Sequence, residues 1–191
     1  MRPDVARSIA KAHLSEKRMY HSECVARCAK QLAVRLGCDA EDAEVAGLLH
    51  DVLKEEDDSA LLKTMEGSAI MRDDYVEHYR PIWHAFAGSI YVRKELGLSQ
   101  EIADAIFYHT CGRASMTPLE KAIFLADYIS DDRAFEGAQE VREIAAQDID
   151  KAVLQALKNT ISHLISKGRV VMPLSIEAYN YYASLSMKSK D

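Results

Sequence analysis

Apolar residues in this chain recur mostly at helical spacing, three and four positions apart. The clearest case lies between Asp148 and Lys167, where five large apolar side chains share one face of a helix. They are Ile149, Val153, Leu157, Ile161 and Leu164. Gly168 follows, and a glycine just beyond the last periodic residue is typical of a helix end. The pattern predicts a long amphipathic helix whose apolar face packs on a core.

Residues typical of helix ends divide the rest of the chain into further segments. We predict helices over about 5–15, 18–36, 40–54, 57–66, 81–96, 100–109, 118–129 and from 173 onwards. The strongest start signal is Thr117-Pro118-Leu119-Glu120, because Thr can cap, Pro suits the first helical position and Glu can complete a capping box. Strand-like alternation is scarce, and we find no repeat or long linker. We therefore predict an all-α fold in one domain.

Composition agrees with one ordered helical domain. The 191 residues, 48% of them hydrophobic, suffice for one well-filled core. The formal net charge is −6 and the basic residues form no stripe, so we expect no nucleic-acid partner. We see no signal peptide, and no apolar run approaches the roughly 18 residues of a membrane span. We expect a cytoplasmic protein with no membrane partner and with four reduced cysteines, Cys24, Cys28, Cys38 and Cys111.

The doublet His50-Asp51 is unusual because it interrupts an apolar helical segment at 45–53. On a helix the two residues would lie beside the bulky apolar stripe, on a face that also carries Gly47. Small residues on that face would let another helix approach closely. A lone buried histidine is usually just hydrogen-bonded, but a carboxylate next to it needs a cation or several donors.

Other histidines and one aspartate occupy similar apolar settings, and they suggest a metal site. Four side chains form the predicted site for one divalent ion: His21, His50, Asp51 and Asp127. Imidazole and carboxylate together suit iron, manganese or zinc better than calcium or magnesium. His84 and His109 could hold a second metal ion or contact phosphate oxygens. His13, His78 and His163 have polar neighbours and are predicted to be surface residues.

A competing metal site would use His21, Cys24 and Cys28, which share one helical face. Zinc binds such ligands, but a single helix face rarely supplies a closed tetrahedral set. We interpret the two cysteines instead as small buried hydrophobic residues.

The order His21, His50-Asp51, Asp127 resembles the HD superfamily of metal-dependent phosphohydrolases. Longer stretches, among them "GLLHDVLKE", "IADAIFYHTCGR" and "MTPLEKAIFLADYISDDRAFEGAQEVREIA", are similar to the bacterial YqeK-type family over nearly the whole chain. The resemblance implies a single HD domain over residues 1–191, with a metal-binding core at about 18–130 and C-terminal helices at 148–187 packed on it. It also implies symmetrical hydrolysis of diadenosine tetraphosphate to two ADP, with iron or a related metal such as manganese, cobalt or zinc, and a homodimer by family habit.

The resemblance and the polar residues near the predicted ligands together suggest roles. The predicted catalytic residues are Asp51, Lys54, His84 and His109. The predicted substrate-binding residues are Arg18, Lys54, His84, His109, Thr110, Gly112, Arg133, Val170, Pro173 and Ser175, with Arg113 as a weaker candidate. Lys54 could reach phosphates from a position four residues after His50, and the turn at Thr110–Gly112 could bind anionic oxygens. Family similarity alone suggests that the loop at 170–175 closes over the nucleotide.

The chain departs from the family pattern at three places. Ser130-Asp131-Asp132-Arg133 stands where the family usually has Glu-Pro-Asn/Asp-Arg, Cys111 replaces a common Thr, and Tyr179 replaces a common Arg. Three alternative functions follow from the same residues. They are hydrolysis of another nucleotide (a nucleoside di- or triphosphate or a guanosine alarmone), a di-iron oxygenase, and a non-catalytic nucleotide-binding module.

Overall fold

The computed structural model describes residues 1–72 and 76–188, and this part of the chain folds into ten α-helices and two 3-10 helices without any β-strand. The α-helices are α1 (Pro3–His13), α2 (Glu16–Leu36), α3 (Ala40–Leu49), α4 (Asp58–Met65), α5 (Trp83–Lys94), α6 (Gln100–Tyr108), α7 (Pro118–Ile129), α8 (Glu136–Gln147), α9 (Ile149–Ser166) and α10 (Pro173–Lys188). The 3-10 helices are Ala69–Arg72 and Val76–Ile82. The predicted all-α fold is confirmed.

Several helix ends are set by the capping groups that the sequence predicts. Asp39 accepts hydrogen bonds from the backbone N–H groups of Glu41 and Asp42 at the start of α3. Thr117 and Glu120 form a reciprocal capping box at the start of α7. Gly37 ends α2 in the left-handed region, with φ 70°.

The prediction that the third helix continues to about Lys54 is wrong, because α3 ends at Leu49. Beyond it, the N–H of Val52 donates to Leu49 and the N–H of Lys54 donates to Asp51, over 3.1 and 2.8 Å. Each of these bonds spans three residues, so tight turns replace the helix. The predicted metal ligands His50 and Asp51 therefore project from a turn at the end of α3.

Two further segments differ from the prediction. Pro81 lies inside the 3-10 helix Val76–Ile82 instead of opening an α-helix, and α5 begins only at Trp83. Helix α8 was not predicted, because its buried residues are mainly Val141 and alanines and give little hydrophobic periodicity.

The helices pack so that one group surrounds the predicted metal ligands. Helix α2 packs against α3 and α7, α6 packs against α5 and α7, and α3 touches both α6 and α7. Helix α9 also packs against α7, and α8 and α10 pack on α9. Throughout residues 1–72 and 76–188, no helix combines the length and apolarity that crossing a membrane would require.

Candidate active site

Three helices bring the four predicted metal ligands together. His21 lies on α2, His50 and Asp51 follow α3, and Asp127 lies on α7. The Nε2 atom of His21 lies 3.0 Å from Asp127 Oδ1, and the Nε2 atom of His50 lies 3.8 Å from the same oxygen. His50 Nε2 is also 3.7 Å from Asp51 Oδ2. His21, His50 and Asp127 thus form a group whose ligand atoms all lie within 4.8 Å of one another.

His84 and His109, predicted to bind a second metal ion or phosphate, lie close to the other carboxylate oxygen of Asp51, Oδ1. His84 Nε2 lies 3.1 Å from Asp51 Oδ1, and His109 Nε2 lies 3.7 Å from it. His50, Asp51 and His109 form a second group that could hold an ion. Both groups contain His50, whose Nε2 has one lone pair and can serve one ion only. A second ion would therefore depend on Asp51 Oδ1 with His84 and His109.

Three imidazole rings share one orientation, with Nδ1 turned outward and Nε2 turned into the site. His50 Nδ1 lies 2.8 Å from the carbonyl oxygen of Gly47, and His109 Nδ1 lies 2.7 Å from that of Ile106. His21 Nδ1 lies 2.7 Å from Asp132 Oδ2. The outer nitrogens of His50 and His109 each face a carbonyl acceptor, so Nδ1 carries the ring proton and Nε2 presents a lone pair to the centre. His21 differs because both of its ring nitrogens face carboxylates, Nδ1 that of Asp132 and Nε2 that of Asp127.

The state of His50 Nε2 tests whether these residues fit a metal ion. The ring is fully buried, and Nε2 has no hydrogen-bond partner. A buried polar atom without a partner costs free energy, and a metal ion would satisfy this one. Neutral imidazoles beside carboxylates are suitable ligands for a divalent transition metal, so these residues fit a bound metal ion.

Burial and mutual charge tune the protonation of the site. Burial lowers the pKa of His50 and that of His84 to about 4, so both rings are neutral at pH 7. Burial raises the pKa of Asp51 and of Asp127, but neighbouring histidines outweigh it, so both pKa values are lowered overall. His50 and His84 therefore present neutral imidazoles beside ionised carboxylates, as metal binding requires. The carboxylates beside His21 outweigh its burial and raise its pKa, so an ion bound there would displace a proton.

Three cationic side chains surround the carboxylates. Arg133 donates from Nη2 to Asp127 Oδ1 and from Nε to the Asp127 carbonyl, the latter over 2.8 Å. Arg18 Nη1 lies 3.4 Å from Asp51 Oδ2. The Lys54 ammonium lies 3.0 Å from His84 Nε2 and 4.0 Å from Asp51 Oδ1. The structure thus brings Arg18, Lys54 and Arg133 to the site, although Lys54 gets there from a turn and not from a helix.

A cavity of about 540 Å³ opens beside His109 and Asp127. Its walls are mainly apolar and aromatic and come from the 3-10 helix before α5, from α7, from α9 and from the segment after α9. The wall includes Ile82, Thr110, Phe124, Tyr128, Leu164, Val170, Met172 and Ser175. Of the predicted substrate-binding residues, His109, Thr110, Val170 and Ser175 line it, and the Thr110 hydroxyl is buried without a partner. This size suits a small-molecule ligand.

Three residues predicted to contact the substrate do not line the cavity, and their roles stay predictions. The N–H of Gly112 donates to the Tyr108 carbonyl over 2.8 Å and is not available to an anion. Pro173 opens α10 and faces a different depression. Arg113 pairs with Glu120 at 2.9 Å and therefore stabilises the start of α7 instead of the site.

The cysteine alternative finds no support in the part of the chain that the structure describes. No group of potential ligands there contains a cysteine. Cys24 is buried and accepts a hydrogen bond from Arg27 over 3.1 Å. All four cysteines are free thiols, as the sequence predicts.

Sequence reasoning missed Asp132 and most of the cavity wall. Asp132 follows α7 in the stretch that departs from the family pattern, and nothing in its spacing indicates a partner on α2. Tyr128 directly follows Asp127, so its place beside the site could have been inferred from that adjacency. The cavity wall combines segments far apart in the chain, which helical periodicity cannot connect.

Comparisons with known proteins find similar proteins along most of this chain. The model of the HD domain family matches residues 18–132, which include all four predicted metal ligands. A symmetrical bis(5'-nucleosyl)-tetraphosphatase of Bacillus subtilis (strain 168) is 38% identical over 185 residues, covering 96% of this chain and 99% of the relative. A second, from Staphylococcus aureus (strain NCTC 8325 / PS 47), is 34% identical over 194 residues and covers both chains fully.

A solved structure is also similar. It is a crystal structure from Clostridium acetobutylicum, described as a predicted HD superfamily hydrolase involved in NAD metabolism. The TM-score is 0.89 at 35% sequence identity, and the match covers 95% of this chain and 96% of that one. The similarity therefore covers most of the chain and is not limited to the residues around the site.

Proposed function

This chain belongs to the HD domain family, and from that premise we propose that it is a metal-dependent hydrolase that cleaves diadenosine tetraphosphate symmetrically into two molecules of ADP. Relatives of nearly equal length that are named for this activity support the proposal. The observation that carries it is the convergence of His21, His50, Asp51 and Asp127 beside a cavity of about 540 Å³.

The proposed metal ligands are His21, His50, Asp51 and Asp127, and the proposed ion is iron, with manganese, cobalt or zinc as substitutes. When bound, a divalent ion supplies a water molecule with a pKa of about 7 and a positive charge that polarises phosphoryl oxygens. The mixed imidazole and carboxylate ligands support a transition metal over calcium or magnesium.

Cationic side chains next to the metal ligands are proposed to bind the polyphosphate. Arg18 and Lys54 approach Asp51, and Arg133 approaches Asp127, so cationic groups lie beside both carboxylates. They would offset charge on the phosphoryl oxygens as it develops in the transition state. His84 and His109, which lie close to Asp51 Oδ1, are proposed to contact phosphate around a single metal ion.

The cavity is proposed to hold one nucleoside half of the substrate. Its wall carries the aromatic rings of Phe124 and Tyr128 together with Leu164, which suits a flat base. The segment with Val170 and Ser175 closes one side. His109 and Asp127 belong both to this wall and to the histidine–aspartate cluster, so a nucleoside bound there would direct its phosphates towards the cluster.

The proposed reaction adds water to one of the two inner phosphorus atoms and breaks its bond to the central bridging oxygen. Each product then carries two phosphates, so both are ADP. Asp51 and Asp127 stay ionised because of their histidine neighbours, and they would hold their ligand positions throughout the reaction. Arg133, tied to Asp127, would stay close to the reacting phosphates.

Product analysis tests the proposal. The purified protein is supplied with Fe²⁺ under anaerobic conditions, or with Mn²⁺ or Co²⁺, and diadenosine tetraphosphate is added. The expected product is ADP alone, with one oxygen from labelled water incorporated for every two ADP. Formation of ATP and AMP would contradict symmetrical cleavage. Asp127→Asn should abolish turnover, whereas the exposed His163→Ala should keep it.

The same assay separates the alternative functions. Turnover of a nucleoside triphosphate or a guanosine alarmone, without turnover of the dinucleotide, would make the protein another nucleotide hydrolase. Oxygen uptake with two bound irons would indicate an oxygenase. Nucleotide binding without products under every metal would indicate a binding module. The homodimer, the cytoplasmic location and the division into a core at about 18–130 with packed C-terminal helices stay predictions.

A further inference from the structure

His21 differs from the other inward-facing histidines in what orients its ring. The outer nitrogens of His50 and His109 face backbone carbonyls three residues earlier in the chain. The outer nitrogen of His21 faces the side chain of Asp132, 111 residues later, at 2.7 Å. Its orientation therefore depends on a long-range contact with a replaceable carboxylate.

Asp132 is itself held in place. Its Oδ1 accepts a hydrogen bond from the Ser130 hydroxyl over 2.7 Å, while its Oδ2 lies 2.7 Å from His21 Nδ1. Arg142 of α8 donates to the carbonyl oxygens of Ile129 and Ser130, each over 2.7 Å, and so fixes the turn after α7. Both oxygens of Asp132 thus have defined partners, and its position is set by packing between α7 and α8.

We propose that Asp132 is a positioning residue that sets the tautomer and orientation of His21 for metal binding. Asp132 contacts Nδ1, the outer nitrogen of the ring, whereas Nε2 points to the centre beside Asp127, so Asp132 acts on the ring and is not proposed as a ligand of the same ion. A carboxylate that accepts the outer N–H of a histidine fixes the tautomer and raises the basicity of the inner nitrogen. This inference rests on the metal centre of the proposed function but not on its substrate.

Metal affinity is the direct test. Co²⁺ binding is measured by competition with a chelator for wild type, Asp132→Ala and Asp132→Asn. Loss of such an outer partner weakens metal binding by about 10–100-fold, and this loss is expected for Asp132→Ala. Asp132→Asn should lie in between, because its amide oxygen still accepts the N–H but carries no charge. Ser130→Ala should weaken binding least, because Asp132 keeps its bond to His21.

Asp131→Asn is the matched control. Asp131 is exposed, directly precedes Asp132 and is not part of the histidine cluster, so its variant should bind Co²⁺ like wild type. A second readout follows the ring itself in the metal-free protein, at a pH high enough to keep His21 neutral. Two-bond ¹H–¹⁵N spectra, with His21 assigned by comparison with His21→Asn, should show the Nδ1–H tautomer in wild type and a mixture in Asp132→Ala.

The outcomes separate this inference from the function. If Asp132→Ala and Asp132→Asn both bind Co²⁺ as tightly as Asp131→Asn, the inference is overturned. If wild type binds no divalent ion, the inference and the metal centre fail together. If wild type binds metal but makes no ADP, the substrate proposal fails while the inference on Asp132 stands. Asp132→Asn keeps the test valid should Asp132→Ala not fold.

Discussion

Gly47 of α3 packs directly on the backbone of Ala26 in α2. A Cβ atom on Gly47 would lie 2.7 Å from Ala26 Cα and 3.0 Å from its backbone nitrogen, closer than such atoms normally approach. The absence of a side chain thus lets the two helices cross in contact. Because His50 follows Gly47 by three residues and His21 precedes Ala26 by five, this crossing brings two proposed metal ligands together.

Replacing Gly47 by Ala should separate the two helices. The new methyl group would meet backbone, which cannot move aside as a flexible side chain could. Overpacking of this kind costs about 1–3 kcal/mol, offset in part by the roughly 1 kcal/mol better helix propensity of Ala. We expect a lower free energy of unfolding in urea and a weaker affinity for Co²⁺.

Gly88→Ala provides the control for this prediction. A Cβ there would meet its nearest atom, Ile106 Cγ2, at an ordinary contact distance of 3.5 Å. We expect unchanged or slightly higher stability and unchanged metal affinity. Equal effects of the two substitutions would show that the close crossing at Gly47 does not determine the metal site.

The Gly47 crossing also illustrates how far the sequence predicts this structure. The small residues near the doublet indicated a close helix contact, and Gly47 provides it, although the sequence could not say which helix approaches. Capping residues such as Asp39 and Thr117 were predictable because a cap acts within a few residues of its own helix. The end of α3 could not be predicted in this way, because the apolar pattern continues through Val52 after the backbone has left the helix. Asp132 and the cavity wall depend on long-range packing, which no local pattern encodes.

Removing the charge of Lys54 should impair turnover of the substrate more than binding of the metal ion. Lys54→Met keeps an aliphatic side chain of similar length and deletes the ammonium near Asp51 and His84. A hydrogen bond to a charged group contributes about 1.5–3 kcal/mol, so kcat/KM for diadenosine tetraphosphate should fall roughly 10–100-fold. Co²⁺ affinity should stay equal or rise, because a nearby positive charge is lost.

Lys63→Met, at an exposed position on α4, is the matched control and should leave both quantities unchanged. Unaltered hydrolysis by Lys54→Met would remove Lys54 from the proposed substrate contacts.

The stability of the chelator-treated protein should fall as the pH decreases from about 6.5 towards 4. Burial lowers the pKa of His50 and of His84 to about 4, whereas an unfolded histidine titrates near 6.5. Between these values the unfolded state binds protons that the folded state does not, so acid favours unfolding. Each histidine contributes a slope on the order of 1.4 kcal/mol per pH unit.

Other groups with shifted pKa values affect stability outside the pH range between about 4 and 6.5. Asp51 and Asp127 have lowered pKa values, so they lose their contribution to folding stability only below the pKa of an unfolded aspartate, about 4. His21 has a raised pKa, because the carboxylates outweigh its burial, so its contribution is complete below about 6.5 and is lost at higher pH. Urea unfolding at pH 6.5, 5.5 and 4.5 should show about half the wild-type slope in His84→Gln. An unchanged slope would mean that His84 does not resist protonation in the folded protein.

The number of metal ions at the site can be decided through His84. Its Nε2 lies 3.1 Å from Asp51 Oδ1, whereas Nε2 of the proposed ligand His50 lies 3.7 Å from Asp51 Oδ2. If His84 contacts phosphate around a single ion, elemental analysis of His84→Ala should still find one metal equivalent per chain. Its kcat/KM for diadenosine tetraphosphate should fall. If Asp51 bridges two ions, wild type should hold two equivalents and His84→Ala should lose one. His50→Ala is the reference, because it removes a ligand from the first ion and should lose that equivalent in either case. A fall from two metal equivalents in wild type to one in His84→Ala would therefore refute the single-ion proposal and assign Asp51 Oδ1, His84 and His109 to a second ion. A fall from one equivalent to none would instead make His84 a ligand of the single ion.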